Sequence, residues 1–381
     1  MRKPAHVRRQ LRSFLIACTF LCAFSFLSKA QRYSFREYTQ GLGNLNIDCM
    51  VQDRVGYLWV GTQNGLYRYD GAQFQSFGPA QGLPERTIQN LFVGADGTLW
   101  VATSTGIFFE TKDGHFAPVD SSGPQSQFLQ RSGTVFTAHG SNALVTITRS
   151  GAFRLRRVAP ERWAAEPMHL EGASLWSVQY PPNGSLWYGC DSDLCRLQDG
   201  KTTRLRDSLN LPEEQWTNLL FARDGHLWLR GNHHIGELDP STGRFQIRDV
   251  PGADTESYPA PAEDAKGRIL TAQGSSLALW QSDDWRMVTE HNGLSRFEIQ
   301  TLFVDREGSL WIGLVGHGIL RWVGQDKWEG YTVADGLSND LIWSVMRDHT
   351  GKLWIGTESG LDYIPAGDVN PRRWHQPGII T

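Results

Sequence analysis

Tyr57-Leu58-Trp59-Val60-Gly61-Thr62 returns as Thr98-Leu99-Trp100-Val101-Ala102-Thr103, Ser185-Leu186-Trp187-Tyr188-Gly189-Cys190, His226-Leu227-Trp228-Leu229-Arg230-Gly231, Ser309-Leu310-Trp311-Ile312-Gly313-Leu314 and Lys352-Leu353-Trp354-Ile355-Gly356-Thr357. Trp59 to Trp100 and Trp187 to Trp228 are steps of 41 residues, and Trp311 to Trp354 is a step of 43. The two wide gaps each hold a weaker copy, Asn142-Ala143-Leu144-Val145 and Gly267-Arg268-Ile269-Leu270, which makes eight copies in all. A unit of about 41 residues cannot bury its apolar face alone, so it must stack against its neighbours.

Within a copy the chain reads as four short strands. In the first, Ile47–Gln52 alternates as an inner strand, Asp53-Arg54-Val55-Gly56 turns, and Tyr57–Thr62 returns. Gln63-Asn64-Gly65 turns again, Leu66–Asp70 forms the third strand and Phe74–Phe77 the outer one. Asp opens the tight turn by accepting backbone N–H groups ahead of it, and Gly closes it where positive φ is needed. The same turn recurs at Asp96-Gly97, Asp224-Gly225, Asp305–Gly308 and Asp348–Gly351. These turns lack the run of alternating acidic ligands that a calcium loop requires. One tryptophan at one place in each strong copy is what packing between neighbouring sheets needs. The expected fold is all-β, a β-propeller of four-stranded blades. Tyr33–Thr39 resembles the outer strand read at Lys327–Thr332, so the N-terminal strand is expected to clasp a blade whose other strands come from the far end. Two closures fit: eight blades, or seven with the eighth copy starting a second, truncated ring. In the eighth copy Arg373-Trp374-His375 is the segment available for an outer strand.

The N-terminal segment carries Arg2, Lys3, Arg8, Arg9 and Arg12, an apolar run from Phe14 to Leu27, and then Ser28-Lys29-Ala30. This is the pattern of a secretory signal peptide over residues 1–30, cleaved near Ala30, because the run is short of the ~20 residues a spanning helix needs. Residues 1–30 hold six basic residues and no acidic one, so the 37 basic and 40 acidic residues of the whole chain become 31 and 40 afterwards, a net charge of −9. That balance excludes the electrostatic footprint of a nucleic-acid binder. No later run is long enough to span a membrane, and residues 31–381 are expected in the periplasm or at the cell surface. The expected domains are a propeller over 31–365 and a tail, or the start of a continuation, over 366–381. Cys190 and Cys195 flank a turn, and an oxidising compartment would permit a disulfide between them; two small buried thiols are the alternative. Cys49 is expected to pack as a small apolar residue.

The run Asp335-Gly336-Leu337-Ser338-Asn339-Asp340, then Val345–Asp348, Gly351–Thr357 and Gly360-Leu361, resembles the two-component regulator propeller repeat. Gly41-Leu42 with Asp53 and Leu58–Leu66, and Gly293-Leu294-Ser295 with Asp305 and Leu310–Gly318, repeat the same elements, so the resemblance covers residues 38–364. The resemblance implies the periplasmic ligand-binding half of a sensor, in a family where paired propellers often precede a membrane helix and a kinase or cyclase output domain. No such output domain occurs in this chain.

Propeller topology puts the loop into each inner strand and the loop between second and third strands at one mouth of the channel. Candidate ligand contacts there are Asn44, Asn46, Gln63, Asn64, Arg86, Trp216, His233, His234, Arg296, Glu298, His317, Asn339, Asp340 and Glu358. Amides, charges and aromatics converging on a concave mouth suit a polar small molecule or an oligosaccharide. A binding module rather than an enzyme is expected, with no cofactor, no metal site and no catalytic residue assigned. No phosphate loop, nucleophile elbow or paired-cysteine metal motif occurs. The alternatives are a protein-interaction scaffold, or lyase or hydrolase chemistry built on His233, His234, His317 and Glu298.

Overall fold

The computed structural model describes residues 33–84, 86–120, 135–139, 143–148, 151–181, 184–252, 259–324, 331–333, 336–366 and 372–374. The expected signal peptide lies outside the described residues. The chain divides into two compact units, one spanning Tyr33–Trp328 and the other including Glu329–Thr381.

The Tyr33–Trp328 unit holds seven four-stranded antiparallel sheets. Sheet one is Ile47–Gln52, Leu58–Thr62, Gly65–Tyr69 and Phe74–Phe77, within a residue of the strands read from the sequence. Sheets two to six begin at Ile88–Val93, Val135–His139, Leu175–Gln179, Asn218–Phe221 and Ala262–Glu263. The two weak copies supply the second strands of sheets three and six, Ala143–Thr148 and Ile269–Gln273. Sheet seven is Ile299–Val304, Leu310–Leu314 and Ile319–Trp322, completed by Phe35–Tyr38 in antiparallel register from Phe35 opposite Trp322 to Tyr38 opposite Ile319. The N-terminal strand therefore is the clasp.

One apolar cluster fills each junction between successive sheets. Trp59, Leu66 and Phe77 of sheet one meet Ile88, Leu91 and Val101 of sheet two. Trp100, Trp187 and Trp228 sit likewise at the next sheet's face in their own junctions. Tyr38, Trp311 and Ile319 of sheet seven meet Ile47, Met50 and Tyr69 of sheet one, so the unit closes on itself. Gly313 makes that contact possible, because a Cβ there would lie 2.8 Å from the Ile47 side chain. At the opposite end of the same junction Arg306 Nη1 and Nη2 donate to the carbonyls of Arg54 and Asp53 at 3.0 and 2.6 Å, and Gln52 Nε2 donates to Glu307 at 3.0 Å.

The aspartate turns do more than reverse the chain. Asp53 Oδ1 accepts the N–H groups of Gly56 and Tyr57 while Oδ2 accepts from Trp59 Nε1 at 2.8 Å. Asp305 with Trp311 and Asp348 with Trp354 repeat this at 2.7 and 2.9 Å. In sheet six, which lacks the tryptophan, Arg268 Nε donates to Asp264 at 2.6 Å instead. At Asp53, Asp305 and Asp348 the turn thus fixes the orientation of its own wedge, satisfying an indole N–H that burial would otherwise strand.

Cys190 and Cys195 form the disulfide, with Cα atoms 5.9 Å apart and both side chains fully buried. Closing so short a loop contributes about 2 kcal/mol through the unfolded state. Cys190→Ala/Cys195→Ala is therefore expected to lower unfolding stability by about that amount in urea melts, and reductant should have no effect on the variant.

In the other unit the eighth copy forms a sheet from Ile342–Arg347, Leu353–Thr357, Gly360–Ile364 and Arg372–Arg373. The outer strand comes from the expected segment, with Arg373 opposite Asp362.

Candidate functional site

The loops entering inner strands and those joining second to third strands are tied together at one end of the Tyr33–Trp328 unit. Thr87 Oγ1 donates to the Gln63 carbonyl at 3.0 Å, Glu214 N to Ser192 O at 3.2 Å, Val315 N to Glu298 O at 3.0 Å and Gly318 N to Leu45 O at 2.9 Å. Sheet-to-sheet contact therefore carries Asn44, Asn46, Gln63, Asn64, Arg86, His233, His234, Arg296, Glu298 and His317 to a common face. Asn339, Asp340 and Glu358 belong to the second unit, where Asn339 Nδ2 donates to Ser359, Asp340 accepts from Val333 N, and Glu358 accepts from Trp343 Nε1.

Trp216 is a correction. Its side chain is fully buried in the junction between sheets four and five, against Trp187, Leu229 and Leu238. It takes the place that Ile88 has in sheet two, with its carbonyl close to Gly189 and accepting from Ser177 Oγ at 2.6 Å. Packing, not ligand contact, explains an aromatic at that position.

Several of the remaining side chains are already engaged. Asn44 Oδ1 accepts from Asn46 N at 2.8 Å, which shapes the entry loop of sheet one. Arg296 Nε pairs with Glu290 at 3.0 Å, and the His317 ring stacks on Phe297, which stays 41% exposed. His234 Nδ1 lies 2.9 Å from Asp249. His233 Nδ1 lies 3.3 Å from Glu214, a carboxylate only 3% exposed. Glu214 also accepts N–H bonds from Gln215, Asn232 and His233, and Gly231 leaves it room, since a Cβ there would fall 2.2 Å from Glu214 Cγ. Such a carboxylate holds the imidazole by one nitrogen and leaves the other for a ligand. Sequence reasoning missed Glu214, Asp249 and Phe297, which carry no motif and gain meaning only from loops of other strands.

Sequence reasoning also missed Asp48, the bulged residue of the inner strand of sheet one, where Ile47 pairs with Thr62 and Cys49 with Gly61. Burial pushes its carboxyl up to about 6 from 3.8. The folded state therefore binds this proton more tightly than the unfolded chain, and the resulting penalty grows as pH rises from about 4 to about 6 and is complete above that. Asp48→Asn is expected to raise stability by about 1 kcal/mol at pH 7.5, after discounting for partial solvent access, and to change nothing at pH 4, as read from urea melts at both values. Burial likewise pushes the Cys49 thiol up, so it behaves as an inert packing residue.

A cleft of about 470 Å³ borders Asn64 and runs along Tyr67, Ser76, Phe77 and Pro79 on sheet one. Another of about 310 Å³, lined by Asp96, Glu110, Lys112, Arg157 and Glu161, lies at the end carrying the aspartate turns. Among the described residues no three His, Cys, Asp or Glu side chains gather as a metal site, and no helix is long and apolar enough to cross a membrane.

The profile of the two component regulator propeller matches residues 41–64 and 336–359. No curated protein matches the chain significantly in sequence. Among solved structures, the extracellular domain of a candidate hybrid two component system of B. thetaiotaomicron superposes with a TM-score of 0.69 at 18% identity, over 90% of this chain and 49% of that one. The extracellular domain of a candidate one component system of the same organism gives 0.63 at 18% identity, over 91% and 48%. This chain thus spans about half the length of those two domains. A catalytically inactive virginiamycin B lyase of Staphylococcus aureus with quinupristin gives 0.62 at 13% identity, over 76% of this chain and 99% of that one. At these identities the likeness establishes a β-propeller fold.

Proposed function

Because this chain carries the two component regulator propeller repeat, we propose that it is the exported ligand-sensing module of a signalling receptor. Its mouth takes a polar solute such as an oligosaccharide, and the free energy of binding is passed to an output domain or a partner chain. The observation that carries this reading is the convergence of loops from sheets one, two, five and seven on one face, bringing Asn46, Arg86, His233, Arg296 and His317 to the same end. The half-exposed Phe297 on His317 adds an aromatic surface of the kind that sugar rings cover. Thermal-shift screening of residues 31–381 against oligosaccharides and other polar solutes tests it. A shift that Arg296→Ala and His317→Ala remove supports sensing, whereas silence from every class together with stable capture of one protein would favour the scaffold.

The buried Glu214 behind His233 supports a second reading, acid–base chemistry at the same mouth, with His233 as the proton-carrying group. Turnover of a candidate substrate lost in His233→Ala and in Glu214→Gln would establish it.

The eighth sheet supports a proposal about architecture: a seven-bladed ring ends before it, and it is the first blade of another. Ile342 and Val345 are 42% and 60% exposed, whereas the equivalent Ile47 and Met50 of sheet one are 0% and 8% exposed beneath a neighbouring sheet. The face that is covered at each junction of the ring is here uncovered, and it fits a further blade of the same repeat. Residues 31–328 alone are expected to unfold in one cooperative transition with the urea midpoint of the longer chain. A midpoint lowered by more than about 0.5 M would show that the eighth sheet belongs to the ring.

A further inference from the structure

On three consecutive sheets of the ring the bulged residue of the inner strand is polar: Gln300 on sheet seven, Asp48 on sheet one and Gln89 on sheet two. A bulge re-aims one side chain out of the regular alternation. The residues beside Asp48 are committed elsewhere, Ile47 to Gly313 of sheet seven and the Cys49 thiol to the Ile88 carbonyl of sheet two. Asp48, between them, is left to the ring axis. Gln89 follows the same logic, since Ile88 before it lies against Gly61 of sheet one.

Asp48 Oδ2 and Gln89 Oε1 are both shielded from solvent and have no hydrogen-bond partner among the described residues. Both atoms are pure acceptors when the carboxyl is ionised. Enclosing acceptors without donors costs stability, most of all for a carboxylate. The upward push on the Asp48 carboxyl, caused by burial, expresses that cost. Two oxygens from separate blades are too few for an all-protein cation cage, which takes six or more ligands. A group with several donors and a positive charge matches them better. An ammonium has three donors and no acceptor, and its bond to a carboxylate is charge-assisted.

We propose that the axial arc Gln300–Asp48–Gln89 receives the ammonium group of an amine-bearing solute, with Asp48 supplying the charge and Gln89 a second acceptor. This rests on the ligand-sensing reading and narrows its ligand class to cationic amines, amino sugars included.

The test compares glucosamine with glucose, at matched concentration and ionic strength, on residues 31–381 at pH 7.5, by thermal shift and by calorimetric titration. Glucosamine is expected to raise the melting midpoint of the wild type and glucose to leave it unchanged. Asp48→Asn should weaken glucosamine binding about tenfold or more, and Gln89→Met about threefold, as loss of a charged and of a neutral hydrogen bond respectively. Asp48→Asn removes a buried charge and keeps the side chain's shape, so a folded variant is expected, and its own melting curve shows it directly. Equal glucosamine affinity in wild type and Asp48→Asn, or no response of the wild type to glucosamine, overturns the proposal. If glucose or neutral oligosaccharides bind both forms alike, the sensing reading stands while the amine site falls. If no polar solute binds either form, both fall.

Discussion

Removing residues 33–38 is expected to abolish cooperative folding of the Tyr33–Trp328 unit. These residues contribute the outer strand of sheet seven, and its pairing with Ile319–Trp322 joins positions nearly 290 apart in sequence. Tyr33 and Tyr38 are 3% and 8% exposed. Tyr33 and Phe35 pack on Trp322 with ring centroids 4.5 and 5.4 Å away, and Tyr38 packs on Trp311 and Tyr69. Two buried aromatic side chains and the partly buried Phe35, at roughly 1.5–3 kcal/mol for each fully buried ring, together reach about 5 kcal/mol, the lower end of a whole domain's stability. The deletion would also expose the edge of Ile319–Trp322, a template for association. Near-UV circular dichroism and size-exclusion chromatography should show lost tertiary signal and aggregation. A monomer with the wild-type urea midpoint would mean that the clasp contributes nothing.

Trp311→Ala is expected to cost about 3–5 kcal/mol, the range for emptying a large buried aromatic site. Trp311 is 3% exposed, lies under the Arg321 guanidinium at 4.8 Å and packs at the junction where sheet seven meets sheet one. Its indole donates to Asp305, itself 7% exposed, while Ser309 N donates to the other carboxylate oxygen at 2.7 Å. Trp311→Phe separates the two contributions: it keeps most of the apolar volume but leaves Asp305 Oδ2 without its indole, so about 1–3 kcal/mol should be lost. A double-mutant cycle with Asp305→Asn measures the coupling. If Trp311→Phe is as stable as wild type, the aspartate serves its turn alone, and the reading of these turns as anchors for the wedge is wrong.

What is legible in the sequence follows the distance over which the chemistry acts. The turn at Asp305–Gly308 and the strand holding Trp311 were legible because their chemistry spans a few residues: an acceptor side chain, a glycine at positive φ and a two-residue alternation. That Asp305 also holds the indole was not, because the hairpin between two groups six positions apart must fold before they meet. Trp216 aligns with Ile47 and Ile88 and so belongs to a junction, but an aromatic ring in a loop before an inner strand has the same local sequence whether it packs or meets a ligand. Glu214 and Asp48 are the converse case. Neither carries a motif, and each gains its character from burial against other sheets.

The sequence by itself determined the repeat, the four strands of each copy, the aspartate–glycine turns and the N-terminal strand as clasp, since periodicity and turn chemistry act over distances shorter than one blade. Only the tertiary structure decided that sheet one closes directly on sheet seven and which side chains of separate sheets meet. Those outcomes depend on the angle accumulated over successive sheets and on contacts such as that of Gln52 with Glu307, 255 positions apart, and no local pattern encodes them.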